Sequence, residues 1–453
     1  MLFLYSLLFT VGILAMLPLF LLDALRHGKY ITGLKERARG MPPIDARGRP
    51  VLWLHCVSVG ETQAARPLVR ALRAEFPTHA LVVSTITLTG QRLAREVFKD
   101  EAAAVFYFPF DWAWSVRRAL RAIKPAVVLV LETELWPRFL HECKQQNIPV
   151  ALVNGRLSER SFRGYKRLGR FIRQTVNTLA LALMQTEADA ERIRALGLAP
   201  ERIRVAGNLK FDAPIAADAQ ELTDALQARF GFNDERPLII AASTHAPEET
   251  WLLEAFKLLR SSLSNSRPRL LIAPRHPERF NEVAALIAAS SFSWTRRSSA
   301  QAASDLASDV ILLDSIGELR AVFTPAALVF VGGSLVPTGG HNVLEPAAHA
   351  KCIITGAHTF NFTAIVRDFI KQQALVQLPA VDERQAPPTL ARTFQELLTD
   401  DERRRAIGTR ARAALEQSRG ATARTVALLT PLLNKFKVQS CRFNVQGQAN
   451  LER

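Results

Sequence analysis

The chain has 453 residues, of which 48% are hydrophobic and 22% charged, which is typical of a folded protein of about two domains and excludes a disordered one. Its 58 Lys and Arg residues outnumber its 42 Asp and Glu residues, and the formal charge of +16 indicates an anionic partner. No aromatic-rich basic segment is present, so we predict lipid or a phosphorylated substrate and no nucleic acid. The four cysteines are isolated in sequence, which argues against structural zinc and is typical of a reducing compartment.

The first 22 residues contain no charged side chain and are long enough to cross a hydrocarbon layer of about 30 Å. Basic residues such as Arg26, Lys29 and Lys35 follow in the segment 23–50, and none precedes the apolar run. By the positive-inside rule this pattern predicts a single anchor helix over 1–22 with the rest of the chain on the cytoplasmic face. A helix that lies on the membrane without crossing it is the alternative. A cleaved secretory signal is the other alternative, but the sequence has neither the positively charged start nor the small-residue cleavage site that such a signal needs.

Short apolar runs alternate with helical patterns through residues 51–212. The runs predict strands at 51–56, 81–86, 105–108, 126–131, 149–153, 180–184 and 203–206. This alternation predicts a parallel, doubly wound sheet, whose ligands bind at the carboxyl ends of the strands. Polar motifs follow several of these strands: VSVGE at 57–61, ETELWP at 132–137, NGRLSERSFRGY at 154–165 and GNLKFD at 207–212.

Residues 213–236 are rich in Ala and Asp and predict a linker to a second domain over 237–435. Strands are expected there at 237–242, 270–273, 310–313 and 326–331, and the helical run 401–435 is expected to pack back across both domains. The remainder, 436–453, is polar and without pattern.

The richest stretch of the second half follows the predicted strand 326–331. Gly339 and Gly340 come shortly before Asn342, a good N-cap, and Glu345 falls in the first turn of the helix that Asn342 would begin. Glycines allow a phosphate or a sugar to approach the backbone, and the amide groups of a helix start favour an anion. Glu345 could accept hydrogen bonds from a vicinal diol, as on a ribose. Arg275, directly after the strand 270–273, is placed for a phosphate.

GGSLVPTGGHNVLEPAA at 332–348 and GAHTFNF at 356–362 resemble the donor-binding region of the Kdo transferases. These enzymes transfer 3-deoxy-D-manno-octulosonic acid (Kdo) from CMP-Kdo to a lipid A precursor, lipid IVA, in lipopolysaccharide biosynthesis. The family's HxVSVGE motif is matched by 55–61, and the resemblance extends over about residues 1–435. It implies a GT-B architecture: two doubly wound, Rossmann-like α/β domains with a cleft between them. The domain over 51–212 would bind the acceptor, and the domain over 237–435 would bind CMP-Kdo. It also implies attachment to the inner membrane, near anionic lipid.

The resemblance implies an inverting, metal-independent transfer that needs no cofactor. Glu61 would be the general base, and Glu132 and Lys210 would stabilise the transition state. The CMP site would be lined by Pro274, Arg275, Ile316, Gly317, Glu318, Asn342, Val343, Leu344 and Glu345. Further candidates near the donor are Ser58, Gly60, His276, Gly339, Gly340 and His341. Because Glu61 lies at a helix start, we expect its pKa to be lowered.

Two other functions are compatible with parts of the sequence. A membrane-associated GT-B glycosyltransferase with another sugar nucleotide shares most of these features. A non-catalytic protein that binds anionic lipid would explain the charge and the apolar start, but not two separate anion-binding motifs. A nicotinamide dehydrogenase is excluded because no GxGxxG motif follows any strand.

Overall fold

The computed structural model describes residues 1–27, 33, 36–37, 44, 46–212, 220–263 and 267–449, with only the helical backbone over 17–27 and 436–449. The chain divides into two compact units. The N-terminal unit comprises Met1–Pro214 and Ser418–Arg453, and the C-terminal unit comprises Ile215–Gln417. Each has its own seven-stranded parallel sheet, so the predicted pair of parallel α/β domains is confirmed.

The sheet of the N-terminal unit is made of short runs rich in Val, Leu and Ala. Its strands are β1 Val51–His55, β2 Ala80–Thr85, β3 Ala104–Tyr107, β4 Pro125–Leu131, β5 Val150–Gly155, β6 Leu181–Met184 and β7 Ile203–Val205. They lie in the order β3-β2-β1-β4-β5-β6-β7. Because helices cover both faces, the central strands are buried over nearly their whole length, and their residues are apolar except at the carboxyl ends of β1 and β2. The chain changes direction across the sheet between β1 and β4, and loops that diverge there leave a crevice for a ligand.

Helices pack on both faces of this sheet and bury two apolar clusters. In chain order they are α1 Leu2–His27, α2 Val59–Glu75, α3 Leu88–Val97, α4 Ala113–Ile123, α5 Pro137–Gln145, α6 Glu159–Lys166, α7 Arg170–Val176 and α8 Glu187–Ala195. Helix α2 directs Ala65, Leu68, Val69 and Leu72 into the core, a spacing that places them on one helical face. This packing fixes the position of the first turn of α2, directly after β1.

Helix α1 is docked on the N-terminal unit through polar and aromatic contacts in its first half. The Tyr5 hydroxyl donates to Asp111 at 2.8 Å, and the Trp112 indole donates to Thr10 at 3.0 Å. The opposite face carries exposed apolar side chains: Phe3, Leu4, Leu7, Leu8, Val11 and Leu14. Among the residues whose side chains are described, no helix is long and apolar enough to cross a membrane. A spanning helix over 1–22 is therefore not supported, and the predicted basic segment 23–50 lies largely outside the described residues.

The last helix of the chain belongs to the N-terminal unit. This helix, Ala421–Ala449, packs Ala421, Leu429 and Leu433 into the cluster under α2. Asp212 accepts hydrogen bonds from the backbone of Gly420 and Thr422 at its start. Residues 418–435, predicted as part of the second domain, thus return to the first. The helix also extends through 436–449, which the sequence analysis described as a polar tail without pattern, and 450–453 lie outside the described residues.

The C-terminal unit repeats the doubly wound plan. Its strands are β8 Leu238–Thr244, β9 Arg269–Pro274, β10 Trp294–Arg296, β11 Val310–Leu312, β12 Ala326–Val331, β13 Cys352–Thr355 and β14 Val376–Gln377. They lie in the order β10-β11-β9-β8-β12-β13-β14, all parallel. The sequence patterns missed β10, β13 and β14, which have two to four residues each. Here the change of direction lies between β8 and β12.

The helices of this unit are α9 Gln220–Phe230, α10 Glu248–Ser262, α11 Phe280–Ala288, α12 Leu344–Ala348, α13 Thr363–Lys371, α14 Ala386–Thr399 and α15 Asp401–Ser418; the returning helix Ala421–Ala449 is α16. Part of the predicted linker 213–236 is α9, which is anchored by buried Leu226 and Phe230 and by an ion pair between Arg229 and Asp305 at 2.8 Å. The apolar pattern of α9 is weak in sequence. Residues 213–219 of the predicted linker lie outside the described residues.

Candidate functional site

The carboxylate of Glu61 sits in the first turn of α2, at the switch point of the N-terminal sheet. One oxygen accepts from the backbone N–H of Val57 at 2.7 Å, and the other accepts from the Ser58 hydroxyl at 3.2 Å. The side chain is only 7% exposed. Gly60, one residue earlier, is exposed on the same turn. Two short-range hydrogen bonds therefore fix the carboxylate at the carboxyl edge of the sheet.

The electrostatic environment of Glu61 differs from the sequence-based prediction. Its pKa is raised to about 8: burial is the main cause, the nearby charges of Glu132 and Glu134 add to it, and the hydrogen bonds from Val57 and Ser58 act in the opposite direction. The predicted lowering of the pKa by the helix start is therefore wrong. The pattern could show that Glu61 begins a helix, but not that later strands bring two acidic residues to it.

Glu132 and Lys210 come from distant parts of the sequence and meet beside Glu61. Glu132 follows β4 with a positive φ of 53°, and its carboxylate lies 3.6 Å from the Lys210 ammonium group. Glu134 is a further carboxyl in this cluster, and burial raises its pKa to about 7. The structure thus brings together Ser58, Glu61, Glu132 and Lys210.

Asn154 positions the lysine of this cluster. It ends β5 with a positive φ of 56°, and its side-chain oxygen accepts from the backbone N–H of Leu209 at 3.0 Å. Asn208 accepts in the same way from the backbone of Lys210 at 3.0 Å. These two amides hold the short 3-10 turn Leu209–Asp212 against the sheet. Sequence reasoning assigned no role to either asparagine, although both belong to motifs that follow predicted strands.

In the C-terminal unit, a buried carboxylate holds the glycine-containing loop after β12. Glu248 is fully buried, and its two oxygens accept from four backbone N–H groups, those of His245, Gly333, Ser334 and Leu335, at 2.7–3.0 Å. The first amides of this loop are therefore already occupied and do not bind a ligand anion. The sequence shows Glu248 only as one acidic residue at a helix start.

The loop is closed by contacts that require glycine. A side chain at Gly356 would come within 2.2 Å of the Ser334 carbonyl oxygen, so only glycine allows this approach. Gly340 donates to the Gly333 carbonyl at 2.7 Å with a φ of 72°, next to Gly339 with a φ of 101°. The loop that carries His341 is thereby folded back over the end of the sheet.

Three of the predicted donor residues lie together at strand ends. Arg275 and His276 follow β9 directly, and both are exposed. The Nε2 atom of His341 lies 2.8 Å from the Nε2 atom of His245, which follows β8 and was not assigned a role from sequence. Pro274, the last residue of β9, is buried beneath them.

The predicted ribose-binding segment differs from expectation at its start. Helix α12 has five residues and its N-cap is Val343, not Asn342. The Asn342 side chain still accepts from the backbone N–H of Leu344 at 3.0 Å, and it donates to Glu345 at 3.1 Å. Val343 and Leu344 are buried, so only their backbone can face a ligand.

Glu345 also pairs with Arg320 at 3.3 Å, which connects the helix to the segment 316–320. In that segment Glu318 forms a two-point ion pair with Arg297 at 2.8 and 2.9 Å, while Ile316 is 81% exposed. Gly317 has a φ of 90°. The helix predicted to start here is a short 3-10 turn, Leu319–Val322. No group of three or more His, Cys, Asp or Glu residues in the described chain is arranged to hold a metal ion.

Comparison with known proteins points to one family. The sequence model described as 3-deoxy-D-manno-octulosonic-acid transferase (kdotransferase) matches residues 32–213. The chain is 35% identical to the 3-deoxy-D-manno-octulosonic acid transferase of Haemophilus influenzae over 384 residues, which is 85% of this chain and 87% of the relative. It is 34% identical to the enzyme of the same name from Bordetella pertussis over 395 residues, or 86% and 89% of the two chains.

Solved structures with the same arrangement of elements share little sequence. A UDP-GlcNAc 2-epimerase from Neisseria meningitidis matches with a TM-score of 0.57 at 13% identity, over 85% of this chain and all of that one. A glycosyltransferase from Rickettsia africae matches with a TM-score of 0.55 at 11% identity, over 86% and 99% of the two chains. These likenesses concern the fold alone, and two parallel α/β domains of this kind are consistent with the GT-B fold.

Proposed function

The chain belongs to the 3-deoxy-D-manno-octulosonic acid (Kdo) transferase family, and we propose that it transfers Kdo from CMP-Kdo to lipid IVA with inversion at the anomeric carbon. Kdo transfer in lipopolysaccharide biosynthesis is the activity of this family, and the chain covers 87% of a relative with that name. The donor, the acceptor and the stereochemistry are the parts that we add. Glu61 carries the proposal, because its carboxyl lies at the switch point of the N-terminal sheet, is fixed there by hydrogen bonds and has a raised pKa.

In the proposed reaction, Glu61 accepts the proton of an acceptor hydroxyl as that oxygen attacks the anomeric carbon of Kdo. The new carbon–oxygen bond forms as the bond to the CMP phosphate oxygen breaks, and CMP leaves with the bonding electrons. A carboxylate with a pKa of about 8 is a stronger base than an ordinary one, which suits proton transfer near neutral pH. The Lys210 ammonium group, 3.6 Å from Glu132, is the cation available to this step.

On the donor side, we propose that Arg275 binds the phosphate and that Glu345 binds the ribose diol. No described side chain forms an ion pair with the Arg275 guanidinium, which leaves its fork of donors available. Asn342 and Arg320 both donate to the same oxygen of Glu345, so its second oxygen can accept from a hydroxyl.

We further propose attachment to the inner membrane from the cytoplasmic side, with α1 in the plane of the membrane surface. Its outward face is apolar from Phe3 to Leu14. Beside its start, a cavity of about 860 Å³ is lined by Leu2 and by the cations Lys144, Arg170 and Arg173. None of these three cations pairs with a described carboxylate, so the cavity is suited to the headgroup of an anionic lipid.

The direct test of the function is to incubate the full-length protein in detergent with CMP-Kdo and lipid IVA and to determine the mass of the lipid product. An increase by one or more Kdo units is the expected result. If the protein transfers a sugar from another sugar nucleotide and none from CMP-Kdo, that sugar nucleotide is the donor and the proposal of Kdo transfer is wrong. If the protein binds lipid but transfers no sugar and does not bind CMP, an enzymatic role is contradicted.

A further inference from the structure

Four nitrogen-bearing side chains converge at the switch point of the C-terminal sheet. Strands β9, β8 and β12 are neighbours in this sheet. Arg275 and His276 follow β9, His245 follows β8, and His341 is carried over the same edge by the loop after β12. Ligands of doubly wound sheets bind at this position, so the four side chains lie where a substrate is expected.

His245 and His341 form a pair linked by a single hydrogen bond from the N–H of one ring to the nitrogen of the other. Their Nε2 atoms are 2.8 Å apart, and the two rings are nearly parallel, at 6°, with centroids 5.1 Å apart. One Nε2–H must donate and the other Nε2 must accept. The His276 ring meets the His245 ring edge-on at 5.0 Å. Burial and the cations around the pair lower the pKa of both members, that of His341 to about 4, which keeps the pair neutral.

The carboxylates near this cluster are already engaged. All four hydrogen bonds to Glu248 come from backbone N–H groups, and Glu249 is bound by Arg279 at 2.7 and 3.2 Å and by the Thr244 hydroxyl at 2.8 Å. Glu278 is exposed and 3.7 Å from His276. The edge of the sheet therefore has more donors than acceptors. The shared N–H of the pair gains a stronger, charge-assisted bond if an anion replaces imidazole as its acceptor.

We propose that the His245–His341 pair, next to Arg275, is the binding site for the carboxylate on the anomeric carbon of the donor sugar. The inference rests on the proposed function and adds a subsite to it. In the nucleotide conjugate of a 2-keto sugar acid, the carboxylate and the phosphate oxygen are bonded to the same carbon. A site for such a donor must place two anion-binding groups side by side, and Arg275 with the histidine pair is that arrangement. A neutral hexose has no carboxylate there, so the pair would select 2-keto sugar acids.

The test compares two ligands that differ in the sugar acid. CMP carries the phosphate but no carboxylate, and CMP-Kdo carries both. Affinity for CMP and the donor-concentration dependence of single-turnover transfer are measured on the full-length wild type and on His245→Asn and His341→Asn. We expect both variants to keep the CMP affinity within about twofold and to weaken CMP-Kdo by about 10- to 100-fold, the effect of losing a hydrogen bond to a charged group.

Three further variants make the comparison specific. Arg275→Ala is expected to weaken CMP and CMP-Kdo alike. The double variant of His245 and His341 is expected to lose about as much CMP-Kdo affinity as either single variant, because the two rings act on one carboxylate. His349→Asn is the matched control: its ring contacts Thr324 and Phe323, and it should change neither affinity.

Equal losses of CMP and CMP-Kdo affinity in the histidine variants would assign the pair to the nucleotide site and overturn the inference. Unchanged affinities for both ligands would also overturn it, because the pair would then bind neither. If one variant does not fold, as judged by its melting curve, His341→Gln or the remaining single variant decides the question. A wild-type protein that binds CMP but neither binds nor uses CMP-Kdo would refute the proposed function instead. The two failures are therefore distinguishable.

Discussion

Replacing Glu61 by Gln tests the proposed general base most directly. Gln has nearly the same shape: its carbonyl oxygen can accept from the backbone N–H of Val57 and its amide NH2 can donate to the Ser58 hydroxyl oxygen, so the first turn of α2 should persist. It cannot accept a proton from the acceptor hydroxyl. Loss of a general base usually lowers turnover by about 100- to 10,000-fold, and we expect a decrease in this range.

The raised pKa predicts how the wild-type rate depends on pH. With a pKa of about 8, only about a tenth of Glu61 is ionised at pH 7. If the ionised form is the base, the single-turnover rate should rise about tenfold per pH unit below pH 8 and level off above it. The residual rate of the Glu61→Gln variant should lack this rise, because the titrating group has been removed.

The same shift has a consequence for stability. The folded-state pKa of Glu61 lies above its ordinary value of 4.5, so the folded chain binds this proton more tightly than the unfolded chain does. The stability that this proton binding contributes is full below pH 4.5 and is lost as the pH rises through about 8. Relative to wild type, Glu61→Gln should therefore gain free energy of unfolding between pH 5 and pH 9.

Single-turnover transfer, donor affinity and urea unfolding are to be measured on the same preparations at several pH values. Glu75→Gln is the control, because it is the same substitution at the exposed last residue of the same helix. Turnover of Glu61→Gln within a few-fold of wild type, or a wild-type rate that is flat between pH 6 and pH 9, would refute the role of Glu61 as base. Glu61 would then be a helix-start carboxylate only.

Three other substitutions test the surroundings of the two sites. Glu134→Gln removes a charge that raises the pKa of Glu61, so the midpoint of the pH–rate profile should move to lower pH; an unchanged midpoint would show that the two carboxyls do not interact. Arg275→Ala should weaken CMP binding by about 2 kcal/mol in calorimetry, the order expected for a charge-assisted bond to phosphate, and unaltered binding would remove it from the site. Glu345→Gln should weaken binding of CMP more than of its 2′-deoxy form, and equal losses would remove Glu345 from the ribose role.

Much of the fold could be predicted from local patterns. Runs such as 126–131 are apolar throughout, which is the signature of a strand buried on both faces, and helical patterns between them predict parallel sheets. The same reasoning failed where elements are short or weakly patterned. Strand β14 has two residues, and α9 buries only part of one face, so neither is distinguishable from a loop in sequence.

The motifs located the candidate residues, but their interactions could not be read from them. Arg275 and Glu345 were found because each directly follows a predicted strand or lies at a predicted helix start, and Glu61 was found through the family resemblance of its motif. Asn154 and Glu248 were missed as positioning residues, since each acts on a segment that lies 55 to 87 positions later in the chain. A one-dimensional pattern contains no information on such pairs.

The sequence by itself determined the two parallel α/β units, the strand ends at which we propose the chemistry and, through its motifs, the family. These features depend on local periodicity and on residue identity. The tertiary structure alone decided the state of the groups at those ends: the high pKa of Glu61 and the pairing of His245 with His341. Burial and long-range contacts set these properties, and both depend on which strands become neighbours when the chain folds.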